Sequence, residues 1–162
     1  MSKNTQELKD SLPPKHPFEL YIAIPASITL TEHTLLLKTV KVGIIARALA
    51  IYRVDGVIVY IDRSNAVGEV ELIKDILEYL ATPPYLRRKL IPLKETLRYA
   101  GILPPLKTPN HPRVRNLHNM EFREGLVLSI RDDGVAIVDV GLSRLAELHG
   151  VNVKPGDRVV VK

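Results

Sequence analysis

The chain has 162 residues, the length of one average domain or of two small ones side by side. Hydrophobic residues make up 46% and charged residues 25%, which argues against a mostly disordered chain, and the lack of cysteine removes disulfides, thiolate zinc sites and cysteine nucleophiles together. The net charge of +5 is unevenly spread: residues 83–131 carry ten basic and three acidic side chains, a net +7, leaving −2 for everything else. A basic block between near-neutral flanks suggests a surface for a polyanion, the alternative being an ordinary solvated face. No apolar run approaches the roughly 20 residues needed to cross a bilayer, so no membrane partner is expected. Residues 1–18 read as a polar, Pro-rich tail rather than a secretory signal. A cytoplasmic address is expected.

Residues 19–24 (ELYIAI) read as a short buried strand stopped by Pro25. Thr31 is a candidate N-cap for the helix that follows, in which Leu36, Val40, Ile44, Ile45, Ala48 and Ile51 recur at helical spacing as the expected core-facing stripe. Asp55-Gly56 should supply a turn into residues 57–61 (VIVYI), a run apolar enough to be buried on both faces in a parallel sheet. Strand, helix and strand make a βαβ unit. Residues 62–65 (DRSN) lie past the end of its second strand, where open α/β sheets commonly carry function. Residues 70–80 form a second amphipathic helix with Val70, Ile73, Ile76, Leu77 and Leu80 on one face, ending at Thr82-Pro83-Pro84. The fold expected for residues 19–90 is a partial Rossmann-like parallel sheet with flanking helices, a layer that something further would ordinarily complete.

Seven of the twelve prolines fall between residues 83 and 113, marking a change of architecture. Residues 85–90 (YLRRKL) allow a short helical turn that sets Arg87, Arg88 and Lys89 at the junction, and residues 103–115 read as an extended loop. Beyond it, residues 125–130 and 135–140 make a hairpin across Asp132-Asp133-Gly134, and a tight turn at 154–157 leads into residues 158–161 (RVVV). These strands fit a small OB-like β-barrel over residues 91–162, with an SH3-like barrel as the runner-up. Such surfaces bind single strands through cations and aromatic platforms. The stacking candidates are Tyr85, Tyr99 and Phe122, although Phe122 reads better as core.

No GxGxxG, Walker A or GxSxG pattern occurs, and the five histidines (16, 33, 111, 118 and 149) form no compact ligand set, so no metal is expected. Asp132-Asp133 reads as turn chemistry. Gly43 lies inside the first helix, where glycine costs about 1 kcal/mol relative to alanine, so close packing or approach to a ligand is expected there. Arg47 follows one turn on, either functional or a surface arginine.

The stretch VGIIARALAIYRVDGVIVY resembles the first motif of the SPOUT (alpha/beta-knot) RNA methyltransferases, in which a glycine and an arginine four residues later precede a V-D-G-V-I-V strand. ILEYLATPPYLRRKL, LRYAGILPPLKTPNHP and FREGLV are similar, in the same order, to the archaeal and eukaryotic branch of that family, which carries an OB-like insertion. The resemblance covers most of residues 19–128. It implies an alpha/beta-knot domain interrupted by the barrel, S-adenosylmethionine as methyl donor, rRNA or tRNA as substrate with the ribosome as a possible setting, and a homodimer. It assigns Arg47 the motif arginine that handles the RNA acceptor. The RNA-binding candidates are Arg87, Arg88, Lys89, Lys107, Arg113, Arg115 and Arg123.

In the family the cofactor loops, the knot and most of the dimer interface follow the barrel, so a chain ending at Lys162 is expected to lack the cofactor pocket and not to bind S-adenosylmethionine alone. The competing readings are a non-catalytic RNA- or ribosome-associated protein, and a subunit that pairs with another chain through its unfinished sheet.

Overall fold

Strand β1 spans Tyr21–Pro25 and pairs in parallel with β2, Gly56–Tyr60, in the register Tyr21 to Gly56 through Pro25 to Tyr60. The computed structural model describes residues 16–108 and 122–161 of the chain. Helix α1, Leu35–Ile51, joins the two strands, and a 3-10 turn, Ala26–Thr29, separates it from β1. The N-cap of α1 is Thr34, whose hydroxyl accepts from the Leu37 N–H at 3.2 Å. Thr31, the expected cap, instead donates to the Ile28 carbonyl (3.4 Å) and accepts from Lys41 (2.5 Å). Both threonines suit a cap by type; the 3-10 turn carries the chain clear of β1 before the helix starts.

The turn into β2 also differs from expectation. It is a Schellman ending at Arg53, which holds the left-handed conformation (φ 52) usual for glycine. The Arg53 N–H donates to Ala50 and the Val54 N–H to Leu49. Asp55 then ties this turn to β1: its carboxylate accepts from the Leu20 N–H (3.0 Å) and its own N–H donates to the Leu20 carbonyl (2.9 Å). Gly56 leaves space for the Tyr21 ring, which would come within 2.3 Å of a side-chain carbon there.

Helix α2, Val67–Ala81, packs beside α1, and α3, Pro84–Leu90, starts with proline in its first turn, where no intrahelical donor is needed. The core of this layer joins Val42 and Ala46 of α1, Leu72, Ile73, Ile76 and Leu80 of α2, and Leu103. Gly43 is a packing glycine: a side-chain carbon there would stand 2.6 Å from Leu103.

The expected core stripe of α1 faces the other way. Leu36, Val40, Ala48 and Ile51 are exposed, and Ile44 is 66% accessible, while the inward face is Thr39, Val42 and Ala46. A helix apolar all round carries no preferred side in its periodicity, and the small residues win the inner face because they admit α2 and Leu103 closely. The sheet shows the same asymmetry. Ile24 is buried and Ile22, Val57 and Val59 are half-buried, but Tyr21, Ala23, Ile58 (56% accessible) and Tyr60 form a bare face, so β2 is not covered on both sides here.

Residues 123–161 build a four-stranded antiparallel half-barrel in the order β5-β4-β3-β6, from β3 (Arg123–Ile130), β4 (Ala136–Asp139), β5 (Ala146–Leu148) and β6 (Arg158–Val161). The β3–β4 hairpin turns at Gly134 (φ 81), and the turn into β6 uses Gly156 (φ 96), both as expected from sequence. The three-residue β5 was not legible: it is too short for a pattern. The core of the half-barrel is Val127, Ala136, Val138, Val140 and Val161. Phe122, expected inside, is 56% accessible. Among the described residues no helix is long and apolar enough to cross a membrane, and no group of three or more potential ligands is placed to hold a metal.

Candidate functional site

The basic segment meets the half-barrel at α3, and most of its charges there are used internally. Arg87 is half-buried, its guanidinium 4.3 Å above the Tyr79 ring, with Nε donating to the Thr82 carbonyl at 3.0 Å. Lys89 forms an ion pair with Asp139. Arg123 stacks 4.3 Å over the Tyr85 ring and donates through Nε to the Val140 carbonyl. The Tyr85 hydroxyl donates to the Glu124 carbonyl (2.8 Å), and burial pushes its pKa up. Burial would also raise the Asp139 carboxyl, but the Lys89 ammonium and the Gly141 N–H (2.8 Å) outweigh it and hold the group below its usual range.

Arg88 and Lys107 are exposed, and so is Arg47 on α1. Arg113 and Arg115 lie outside the described residues. The candidate set therefore separates into two kinds of position: Arg88, Lys107 and Arg47 face solvent, whereas Arg87, Lys89 and Arg123 are engaged within the molecule. Tyr85 is likewise engaged, and Tyr99 lies under Arg98 at 5.6 Å. Sequence reasoning missed Asp139 and Gly141. The signal was present as an Asp two residues before a Gly at the end of an apolar strand, a turn signature that says nothing about a lysine arriving from α3.

The carboxyl ends of β1 and β2 carry a second polar group. Asp62 accepts from the Ser27 hydroxyl (2.5 Å) and N–H (3.0 Å), and these bonds lower its pKa. Glu69 accepts from the buried Thr29 hydroxyl (2.6 Å) and from Lys38 (2.5 Å). These side chains are committed to one another. They lie at the edge where open α/β sheets commonly take ligands. A cleft of about 1070 Å³ lies at the opposite end of the strands, lined by Arg53, Asp55, Lys74, Glu78 and Thr108 among others.

The family model described as "Putative RNA methyltransferase" matches residues 19–162. The chain belongs to this family. Among its relatives in the family, a 28S rRNA (uridine-N(3))-methyltransferase of Homo sapiens is 33% identical over 90% of this chain and 42% of its own length. The protein of the same name from Drosophila melanogaster is 33% identical over 91% of this chain and 34% of its own. An uncharacterized protein of Halobacterium salinarum is 31% identical over 87% of this chain and 51% of its own. The chain spans about half, or less, of the length of the curated relatives it matches. The RNA methyltransferase family is the group that the motifs around Gly43 and Arg47 and the stretches between residues 76 and 127 resemble.

Proposed function

We propose that this chain is the RNA-holding part of an S-adenosylmethionine-dependent methyltransferase that acts on uridine in ribosomal RNA. In this reading residues 19–90 begin an alpha/beta-knot domain, residues 91–162 are its OB-like insertion, and the enzyme works as a homodimer. The observation that carries the proposal is family membership over residues 19–162, joined to relatives named as 28S rRNA uridine methyltransferases. The exposed cations support it. Arg88 and Lys107 can hold phosphates, and the Arg47 guanidinium can bind a phosphate in bidentate fashion or offset negative charge on the acceptor. The bare sheet face (Tyr21, Ala23, Ile58, Tyr60) supports a further layer of polypeptide, because parallel sheets are stable when covered on both sides. No transfer step is assigned to the described residues.

The test is transfer of a labelled methyl group from S-adenosylmethionine to ribosomal RNA by the polypeptide that carries this chain, with and without Arg47→Ala. Label should appear in uridine and fall with the substitution; labelled RNA with the modification on another base, or none, refutes the substrate or the activity. A non-catalytic RNA-binding protein is the second reading, favoured by the exposed cations Arg47, Arg88 and Lys107. It predicts salt-dependent RNA affinity without methyl transfer.

A further inference from the structure

We infer that the half-barrel is locked in a fixed attitude on the α/β layer, and that Tyr85, Lys89 and Arg123 are positioning residues that set the spacing between two RNA-contacting surfaces. Small units joined through a modest interface ordinarily reorient relative to each other. This junction is held on several sides of one ring. The Tyr85 ring presses on the backbone of Gly141, where a side-chain carbon would fall 2.2 Å from it, and Gly141 has φ 69, a conformation that suits glycine. Arg123 covers the ring and is itself bonded to the Val140 carbonyl, so β3 and the end of β4 hold it together. The Tyr85 hydroxyl reaches the Glu124 carbonyl.

A second point of attachment lies one helical turn along α3. There Lys89 pairs with Asp139, whose other oxygen accepts from the Gly141 N–H. A single contact is a pivot. Two contacts about 6 Å apart along a helix remove the swivel that one contact leaves. Leu126, the cross-strand partner of Asp139, is buried although it stands outside the barrel's apolar cluster, so the face they share is covered at the junction.

Exposed cations stand on both sides of this lock, Arg88 on the layer and Arg144 and Lys154 on the barrel. What the lock does to bound RNA rests on the RNA-binding reading above; the lock itself does not. With the spacing fixed, an RNA held by one surface meets the other at a constant effective concentration.

The experiment pairs backbone 15N relaxation with RNA titration, on the wild type and on Tyr85→Phe, Tyr85→Ala and Gly141→Ala. Wild type and Tyr85→Phe, which keeps the ring, should show one rotational correlation time for residues 19–90 and 123–161. Gly141→Ala and Tyr85→Ala should show two, with Gly141→Ala carrying the test if Tyr85→Ala does not fold. A single-stranded RNA of about 30 nucleotides, longer than the roughly 4–16 that one small barrel covers, should lose about tenfold in affinity in the unlocked variants. A short oligonucleotide should bind all four proteins alike. Two correlation times in the wild type, or one in both unlocked variants, overturns the lock. Unchanged affinity for the long RNA in an unlocked variant overturns the positioning role. One correlation time with no binding of either RNA upholds the lock and removes the RNA reading.

Discussion

Two carboxylates, Asp75 and Asp139, are buried, and each is kept ionised by a lysine brought from elsewhere in the chain. At Asp75 burial raises the pKa, but Lys94 (2.7 Å) and the Thr96 hydroxyl (2.6 Å) outweigh it and the net shift is downward. The sign follows from proton counting. With folded-state pKa values below the unfolded ones, both groups contribute stability that is complete above the unfolded value of about 3.9 and is lost as pH falls through the lower folded value. Asp75→Asn should therefore lose about 1–3 kcal/mol near neutral pH, and the loss should shrink in strong acid. Urea unfolding midpoints across that range check it, and an equal loss at both ends would refute the linkage. The arginines divide in the same residue-by-residue way. Arg87→Ala removes the Tyr79 stack and the Thr82 bond and should lower stability by about 1–2 kcal/mol with little effect on RNA affinity. Arg88→Ala should change stability by no more than about 0.5 kcal/mol yet weaken RNA binding. Thermal unfolding beside filter binding separates the two.

At the scale of elements, periodicity located α1 and α2 correctly, and glycine placement located both barrel turns. Local spacing decides these features because turns and helices are built from neighbours in sequence. The burial of α1 was not legible, since Leu36, Val40 and Ile44 make as good a stripe as Thr39, Val42 and Ala46. The two faces predict opposite responses. Ile76→Ala, inside the α1–α2 core, should cost about 2–5 kcal/mol. Ile44→Ser, on the exposed face, should stay within about 0.5 kcal/mol of wild type while reducing self-association at high concentration. Chemical denaturation and light scattering measure both; a large loss of stability for Ile44→Ser would show that the stripe is covered in the isolated chain. Thr34→Ala should cost about 1 kcal/mol as the loss of a cap, and Thr31→Ala less.

For the whole molecule, the +7 of residues 83–131 overstates the cationic surface. Lys94 is drawn to Glu71 and Asp75, Arg98 to Glu95, and Arg131 to Glu147, besides the three side chains committed at the junction. Counterion release should thus be smaller than the net charge suggests. Replacing Arg88 and Lys107 together should reduce the salt slope of RNA binding by about 0.7 for each phosphate no longer neutralised on a single strand, whereas replacing Lys89 should leave the slope unchanged. Affinity measured over a range of salt concentrations tests this, and an unaltered slope in the double variant would place the phosphates on other cations.

The sequence by itself determined the element order, the hairpin and its glycine turns, the packing role open to Gly43, and the family, because each of these resides in local spacing or in short motifs along the chain. Only the tertiary structure decided which face of α1 is buried and which arginines turn inward. Lys89 and Asp139 are 50 residues apart in the chain. A basic side chain has no direction until folding brings a carboxylate, a carbonyl or an aromatic ring beside it.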